Sequence, residues 1–220
     1  MNKMRYIVIS ITLFIIVFIL LEYTLHQLSP IENIRSRKID TIHFRTGDLI
    51  LYNSCFELKY DVYKLFCYSR YTHVALVFVD SAGTVFQIET NGKHGNKCER
   101  INPAALKNHV IRQINKPLDS KKMEAYLHIL IGQKYSYDLW KSFYRKWFRF
   151  IPLPVKQQVV FTKAFCSELI SLILTKFGVL CFDDHELQPS LVLPGDFSLE
   201  NESKLPFVNG YKYGEEILIS

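Results

Sequence analysis

The chain has 220 residues, of which 49% are hydrophobic and 22% are charged; this composition excludes an intrinsically disordered protein and supplies a domain with its own core. The net charge of +6 is modest and spread along the chain, so we do not expect nucleic acid as a partner. The cysteines form no Cys-x-x-Cys pair, which excludes the usual structural zinc spacing but leaves open reduced thiols or up to two disulfides. They are Cys55, Cys67, Cys98, Cys166 and Cys181.

The N-terminal region contains an apolar run without a charge over residues 6–21, preceded by Lys3 and Arg5. A run of this length only narrowly spans a bilayer. A cleaved signal peptide is the alternative, but the residues that follow lack the small-x-small cleavage pattern. We therefore expect a transmembrane anchor over residues 1–25 that contacts membrane lipid, and a polar linker over residues 26–44. The expected localisation is a single-pass membrane protein, with the basic N-terminus favouring a non-cytosolic domain.

Strand patterns dominate the first half of the remaining chain. Residues 46–54 begin with a turn and continue as a short apolar strand. Residues 72–80 are rich in β-branched and aromatic residues, which predicts a buried strand. Residues 84–90 alternate polar and apolar side chains, so they predict a second strand that forms a hairpin with the first. We expect a loop over residues 91–97 and a further strand over residues 109–114.

Helix patterns follow in the second half. Asp119 or Ser120 is positioned to cap a helix that Gly132 ends. Its expected apolar face carries Met123, Tyr126, Leu127, Leu130 and Ile131. Residues 166–177 predict a strongly apolar helix that ends at Gly178, and residues 215–219 predict a final strand. Because helices and strands are segregated, we expect an α+β domain with a small antiparallel sheet packed against helices.

Cys166 stands at the start of the last helix, in the stretch "FCSELI". Cysteine is among the most buried residue types, so a core role is one interpretation. The other interpretation is a nucleophile, because the N–H groups of a helix start favour a thiolate. An imidazole within hydrogen-bond reach would promote the same ionisation. Helix position alone does not decide between the two roles.

His73 is the imidazole that we expect beside this thiol. It stands at the start of the most apolar strand, where it is either a satisfied core histidine or a base held by the sheet. Glu89 lies on the strand paired with it, and a turn near Ala82 places the two residues near opposing ends of the two strands. The carboxylate would then hold one ring nitrogen of His73 and leave the other for the thiol. Alternatively, Glu89 is an ordinary solvent-facing strand residue.

Five sequence blocks together resemble a known family. In chain order "TGDLILY", "YTHVALVFV", "VFQIET", "GQKYSYD" and "FCSELI" are similar to blocks of the circularly permuted NlpC/P60, papain-like cysteine hydrolases, which include YaeF/YiiX-type and poxviral members. As in the permuted branch, the histidine strand precedes the cysteine helix. The resemblance covers about residues 45–197. It implies a catalytic domain over residues 45–220 with Cys166 as nucleophile, His73 as base and Glu89 as third residue.

The substrate pocket is less sharply defined by the resemblance. The "GQKYSYD" block is longer than the family's tighter Gly-x-x-Tyr-Asp pattern, so either Tyr135 or Tyr137 is expected to line the pocket. At the start of the last helix, the backbone N–H groups of Cys166 and Ser167 are candidates for binding an oxyanion.

The implied function is a membrane-anchored thiol hydrolase or acyltransferase that cleaves an amide or ester bond through a Cys166 acyl-enzyme, without a cofactor or metal. The NlpC/P60 side of the resemblance implies a peptide-type amide, as in peptidoglycan. The related lecithin:retinol acyltransferase side implies a lipid acyl group. A catalytically silent, membrane-tethered binding module with a papain-like groove is the alternative.

Three other features receive no catalytic role. Asp48 follows Gly47 and is expected to form a turn rather than to bind a metal. His94 and Cys98 fall in a Gly-rich segment that predicts a loop, so we assign no metal to them. Residues 140–150 mix aromatic and basic side chains and either lie at a membrane interface or pack over the groove.

Overall fold

The computed structural model describes residues 9–20, 34–52, 69–91, 95–131, 166–183 and 187–220. In chain order these residues form α1 (residues 9–20), β1 (Arg35–Arg37), β2 (Leu49–Tyr52), β3 (His73–Val79), β4 (Val85–Asn91), β5 (Gly95–Arg100), β6 (Val110–Ile114), α2 (Ser120–Leu130), α3 (Cys166–Lys176) and β7 (Tyr213–Ile219). Short 3-10 turns join several of them. The predictions for His94, Gly132, Tyr135, Tyr137 and residues 140–150 lie outside the described residues.

The described strands form one seven-stranded sheet in the order β1-β7-β6-β2-β3-β4-β5. The pair β1 and β7 is parallel and the other neighbouring pairs are antiparallel, so the sheet is mixed. The prediction of a small antiparallel sheet is therefore wrong. It failed because β1, with the sequence Arg-Ser-Arg, carries no apolar alternation and joins the sheet through the backbone. The α+β segregation of helices and strands does hold.

The predicted transmembrane anchor also requires correction. Among the described residues, none of the helices combines the length and the apolar content that crossing a bilayer requires. This finding overturns both the anchor over residues 1–25 and the single-pass localisation.

Strand β3 lies inside the sheet between β2 and β4 and is buried on both faces. Its residues Val74, Leu76 and Phe78 belong to one hydrophobic cluster together with residues of α2 and α3. The alternate residues Ala75 and Val77 belong to a second cluster on the opposite face. This two-sided burial explains why the strand is apolar throughout and does not alternate. It also fixes the first residue of β3 firmly in place.

The β3–β4 hairpin is confirmed, but its register differs from the predicted one. The Asp80 side chain accepts hydrogen bonds from the backbone N–H groups of Ala82, at 2.9 Å, and Thr84, at 2.7 Å. Leu76 pairs with Ile88, so the hairpin is centred at Ala82, where the turn was predicted. Extending this register brings Glu89 level with Ala75, so Glu89 is a diagonal neighbour of His73 on the same face.

The segment after β4 is the second local difference. Residues 91–97 were predicted to form a loop, but β5 begins at Gly95 and pairs with β4. The predicted loop is thus wrong from residue 95 onward. The Gly and Asn residues of this segment suggested a turn, whereas pairing with β4 gives the backbone its hydrogen bonds in a strand.

Both predicted helices are present, and their ends have clear causes. The Asp119 carboxylate accepts hydrogen bonds from the backbone N–H groups of Lys121 and Lys122, at 3.0 and 3.1 Å, and so caps α2. Gly178 follows α3 with a φ of +69°, a conformation that glycine adopts without strain. Ile131, expected on the apolar face of α2, instead follows the helix and is exposed. Helix α3 packs against β3 and β4, which brings its first residue to the site.

The Gly47-Asp48 pair forms a structural turn that joins two strands. One carboxylate oxygen of Asp48 accepts a hydrogen bond from Arg45 N–H and the other accepts one from Ile114 N–H, both at 2.9 Å. Gly47 has a φ of +104°, and a Cβ there would lie 2.8 Å from Cγ of Leu118. The turn therefore requires a glycine and ties β2 to β6.

Candidate active site

Three side chains meet where the start of β3 faces the start of α3. Cys166 is the first residue of α3, His73 is the first residue of β3, and Glu89 lies on β4. The Cys166 thiol lies beside the His73 ring, close enough for each group to shift the pKa of the other. On the other side of the ring, Nε2 of His73 lies 2.6 Å from Oε2 of Glu89. Because Glu89 occupies Nε2, the ring nitrogen left for the sulfur is Nδ1.

The surroundings of Cys166 favour its thiolate. Burial by itself raises the pKa of the Cys166 thiol, but the positive charge of His73 and its hydrogen bond lower it. The backbone N–H groups of Val74 and Ser167 also donate to the sulfur and act in the same direction. The net result is a pKa below the ordinary value for cysteine, at a helix start that itself favours an anion.

The imidazole is held in its charged form by two anions. Burial opposes a charge on His73, but the Cys166 thiolate and the Glu89 carboxylate raise its pKa to about 10. Burial likewise raises the pKa of Glu89, but His73 and Lys97 lower it to about 2. The two pKa values favour an imidazolium beside an ionised Glu89 at neutral pH, and this positive charge in turn favours the thiolate of Cys166.

Tyr52 supports the imidazole from the neighbouring strand, and sequence reasoning missed it. It is paired with His73 in the β2–β3 register, and the ring centroids lie 5.2 Å apart. Its hydroxyl donates a 2.7 Å hydrogen bond to Oε1 of Gln87. On the other side the ring of His109 lies 4.7 Å away. Pairing the predicted apolar strand that ends near Tyr52 with the His73 strand would have placed Tyr52 beside the imidazole.

Lys97 is the second residue that sequence reasoning missed, because its segment was read as a loop. It lies directly opposite Glu89 in the β4–β5 register. Its Nζ is 2.8 Å from Oε1 of Glu89, the oxygen that His73 does not use. A second hairpin around the Gly-rich residues 92–95 would have been the sequence signal for this contact.

Ser167 is close to the sulfur through its backbone, but its side chain has another partner. The buried hydroxyl donates a 2.6 Å hydrogen bond to the carbonyl oxygen of Val192. The hydroxyl thus fixes the start of α3 against the segment that follows it. Contact with a substrate remains a prediction for the backbone N–H of Ser167, and the predicted pocket residues Tyr135 and Tyr137 lie outside the described part of the chain.

The described residues contain no group of three or more His, Cys, Asp or Glu side chains that could hold a metal ion. A groove of about 510 Å³ lies away from the site, at the C-terminal end of α3. Tyr126, Phe177 and Tyr211 line it together with Lys122 and Lys176. Neither Cys166 nor His73 lines this groove, so it is separate from the candidate site.

No protein-family model matches the chain, and no curated protein matches it. Among solved structures the chain is similar to one described as the metalloprotein yiiX from Escherichia coli O157:H7, DUF1105. The sequences are 16% identical, the match covers 62% of this chain and 67% of that chain, and the TM-score is 0.43. A similarity of this size carries no information about activity or metal binding, so function has to be argued from the geometry of the site itself.

Proposed function

We propose that the protein is a cysteine hydrolase or acyltransferase that attacks an amide or ester carbonyl with Cys166. The observation that carries this proposal is the contact series from the Cys166 thiol to His73 and from His73 to Glu89 at 2.6 Å. These residues supply a nucleophile, a base and a group that orients the base. The lowered pKa of Cys166 makes the thiolate more available than in an ordinary cysteine.

The first half-reaction forms a thioester. The Cys166 thiolate attacks the carbonyl carbon, and the carbonyl oxygen becomes an oxyanion. The backbone N–H of Cys166 is the candidate donor to that oxygen. The imidazolium of His73 then gives its proton to the leaving amine or alkoxide as the carbon–heteroatom bond breaks. The acyl group remains on the sulfur.

The second half-reaction releases the acyl group. His73, now neutral, takes a proton from water or from an acceptor alcohol or amine, and the resulting nucleophile attacks the thioester. The sulfur leaves as a thiolate beside the re-formed imidazolium. Glu89 keeps the ring in place through both steps, and its pKa of about 2 keeps it ionised at neutral pH.

The order of the catalytic elements is a second line of support. His73 precedes Cys166 in the chain, as in the permuted NlpC/P60 hydrolases that the sequence blocks resemble. From that resemblance, the proposed acyl donor is a peptide-type amide or a lipid acyl group. Incubating the protein with labelled muropeptides and with labelled phospholipid, and measuring which label Cys166 acquires, separates the two substrate classes.

A p-nitrophenyl acetate experiment tests the reaction class without knowledge of the substrate. We expect a burst of p-nitrophenolate and an acetyl group on Cys166, detected by mass spectrometry of the corresponding peptide. Both should disappear in Cys166→Ala and fall by at least about tenfold in His73→Ala, because the thiolate then loses its stabilising imidazolium.

Cys98→Ala is the matched control, because burial raises the pKa of the Cys98 thiol to about 11 and makes it a poor nucleophile. This variant should keep the full burst. A burst that survives in Cys166→Ala, or that is unchanged in His73→Ala, would contradict a thiol enzyme and favour a silent binding module.

A further inference from the structure

We propose that Lys97 is a positioning residue of this site, which holds the Glu89 carboxylate in the orientation that binds His73. The inference rests on the proposed function, because positioning has a consequence only if His73 acts on Cys166. Lys97 does not contact the sulfur. Its effect would reach the sulfur through Glu89 and the imidazole.

The geometry of Glu89 is the first argument. Its two carboxylate oxygens have different cationic partners, with His73 Nε2 at 2.6 Å from Oε2 and Lys97 Nζ at 2.8 Å from Oε1. Rotation of the carboxylate about its terminal bond would break both contacts together. The plane of the carboxylate, and with it the direction of the hydrogen bond to the imidazole, is therefore set by two anchors and not by one.

The way in which Lys97 is itself held is the second argument. It lies on β5 directly opposite Glu89, so the backbone pairing of β4 and β5 fixes the distance between the two Cα atoms. Its ammonium group also forms an ion pair with Glu99, and its side chain is only 22% exposed. An ion pair of a fully exposed lysine contributes little to stability, but Lys97 is restrained at both its backbone and its charged end.

The charges around the carboxylate are the third argument. The charged and titratable groups near Glu89 are His73 on β3, Lys97 and Glu99 on β5, and Tyr52 on β2, with Cys166 on α3 beyond the ring. Only His73 and Lys97 among these are cations. Because burial of Glu89 favours its neutral acid, removing Lys97 leaves the imidazolium as the sole cation in this group that opposes protonation.

The test is the pH profile of Cys166 alkylation by iodoacetamide, followed by mass spectrometry on the full-length protein. In Lys97→Met we expect the acid limb to move upward by about half a pH unit, with the alkylation rate on that limb falling about threefold, because Lys97 acts on the thiol only through Glu89 and the imidazole. Lys97→Arg should restore most of the wild-type profile because it keeps the cation.

Two further variants separate positioning from folding. Glu99→Gln removes a charge partner of Lys97 but leaves Glu89 intact, so its acid limb should stay within about 0.3 pH units of wild type. Lys97→Gln keeps a hydrogen-bond donor without the charge and provides the measurement if the methionine variant is unstable; its acid limb should also move upward. Thermal unfolding of each variant identifies losses of rate that come from instability.

The outcomes also separate this inference from the proposed function. If wild-type Cys166 shows an ordinary thiol profile that His73→Ala does not change, the proposed function fails. If the wild-type profile is shifted and depends on His73, but stable Lys97→Met or Lys97→Gln protein gives the same profile as wild type, only the role of Lys97 fails. A rate loss in Lys97→Met that Lys97→Arg does not restore also overturns it.

Discussion

Replacing Glu89 by glutamine removes one charge from the centre of the site with almost no change in shape. In the wild-type protein the carboxylate lies 2.6 Å from the imidazole Nε2, and the His73 side chain is 26% exposed. Two opposite charges centred about 4 Å apart interact by about 4 kcal/mol at an effective dielectric constant of about 20. The glutamine oxygen keeps a hydrogen bond to the ring, and Lys97 already offsets part of the field of the carboxylate. We therefore expect a net loss of about 2 kcal/mol.

The lost interaction energy destabilises the charged form of the His73 imidazole. The pKa of His73 is about 10 in the wild-type site, and at about 1.4 kcal/mol per pH unit it should fall to about 8.5 in Glu89→Gln. The sign follows from the charge, because the carboxylate favours imidazolium and the neutral amide does not. The imidazolium form of His73 should thus be lost at a lower pH in this variant.

Nuclear magnetic resonance of protein labelled with ¹³C-histidine measures this pKa directly, and His73→Ala identifies the resonance. Glu99→Gln is the control: it removes a carboxylate whose side chain is 54% exposed, and the pKa of His73 should change by less than about half a unit. A His73 pKa in Glu89→Gln within about 0.3 units of wild type would refute the reasoning that Glu89 stabilises the imidazolium.

Three further measurements test other parts of the structure. In Ser167→Ala the carbonyl oxygen of Val192 loses its buried donor, so the free energy of unfolding should fall by about 1–3 kcal/mol while alkylation of the Cys166 thiol stays unchanged. The pKa of His109 is lowered by burial and by the charge of His73, so it should rise in His73→Ala. Titration of the His109 resonance measures this pKa, and the same value in both proteins would contradict the prediction. Burial raises the pKa of Asp48 from 3.8 to about 6. Its ionisation should therefore lower the free energy of unfolding by about 3 kcal/mol as the pH rises between these two values. Denaturation measured as a function of pH should show this loss in the wild-type protein and not in Asp48→Asn.

The hairpin that carries His73 and Glu89 was predictable from the sequence because its signals are local. The buried run of β3 and the alternation of β4 are both visible in single segments of the chain. The turn near Ala82 was placed correctly, but the pairing of His73 with Glu89 was off by two residues, because the register of Leu76 with Ile88 brings Glu89 level with Ala75. His73 and Glu89 still lie on the same face of the sheet, because a shift of two residues along a strand leaves each side chain on the same side.

The outer strands were not predictable in this way. Strand β1 is three residues long with two arginines, and its partner β7 lies near the other end of the sequence. Strand β5 begins with glycine and asparagine and contains Lys97. Both strands are specified by pairing with a neighbour and not by their own side-chain pattern, so single-segment reasoning missed the lysine that contacts Glu89.

The arrangement of charges along one face of the sheet has a practical consequence for the behaviour of the protein in electrolytes. Imidazolium, carboxylate, ammonium and carboxylate follow one another from His73 to Glu99, and the inner contacts span only 2.6 and 2.8 Å. Dissolved ions screen over about 10 Å at an ionic strength of about 0.1 M and act poorly on short, buried contacts. Alkylation of the thiol should thus be nearly constant from dilute buffer to molar sodium chloride, which would allow the same chemistry in fresh and in saline surroundings.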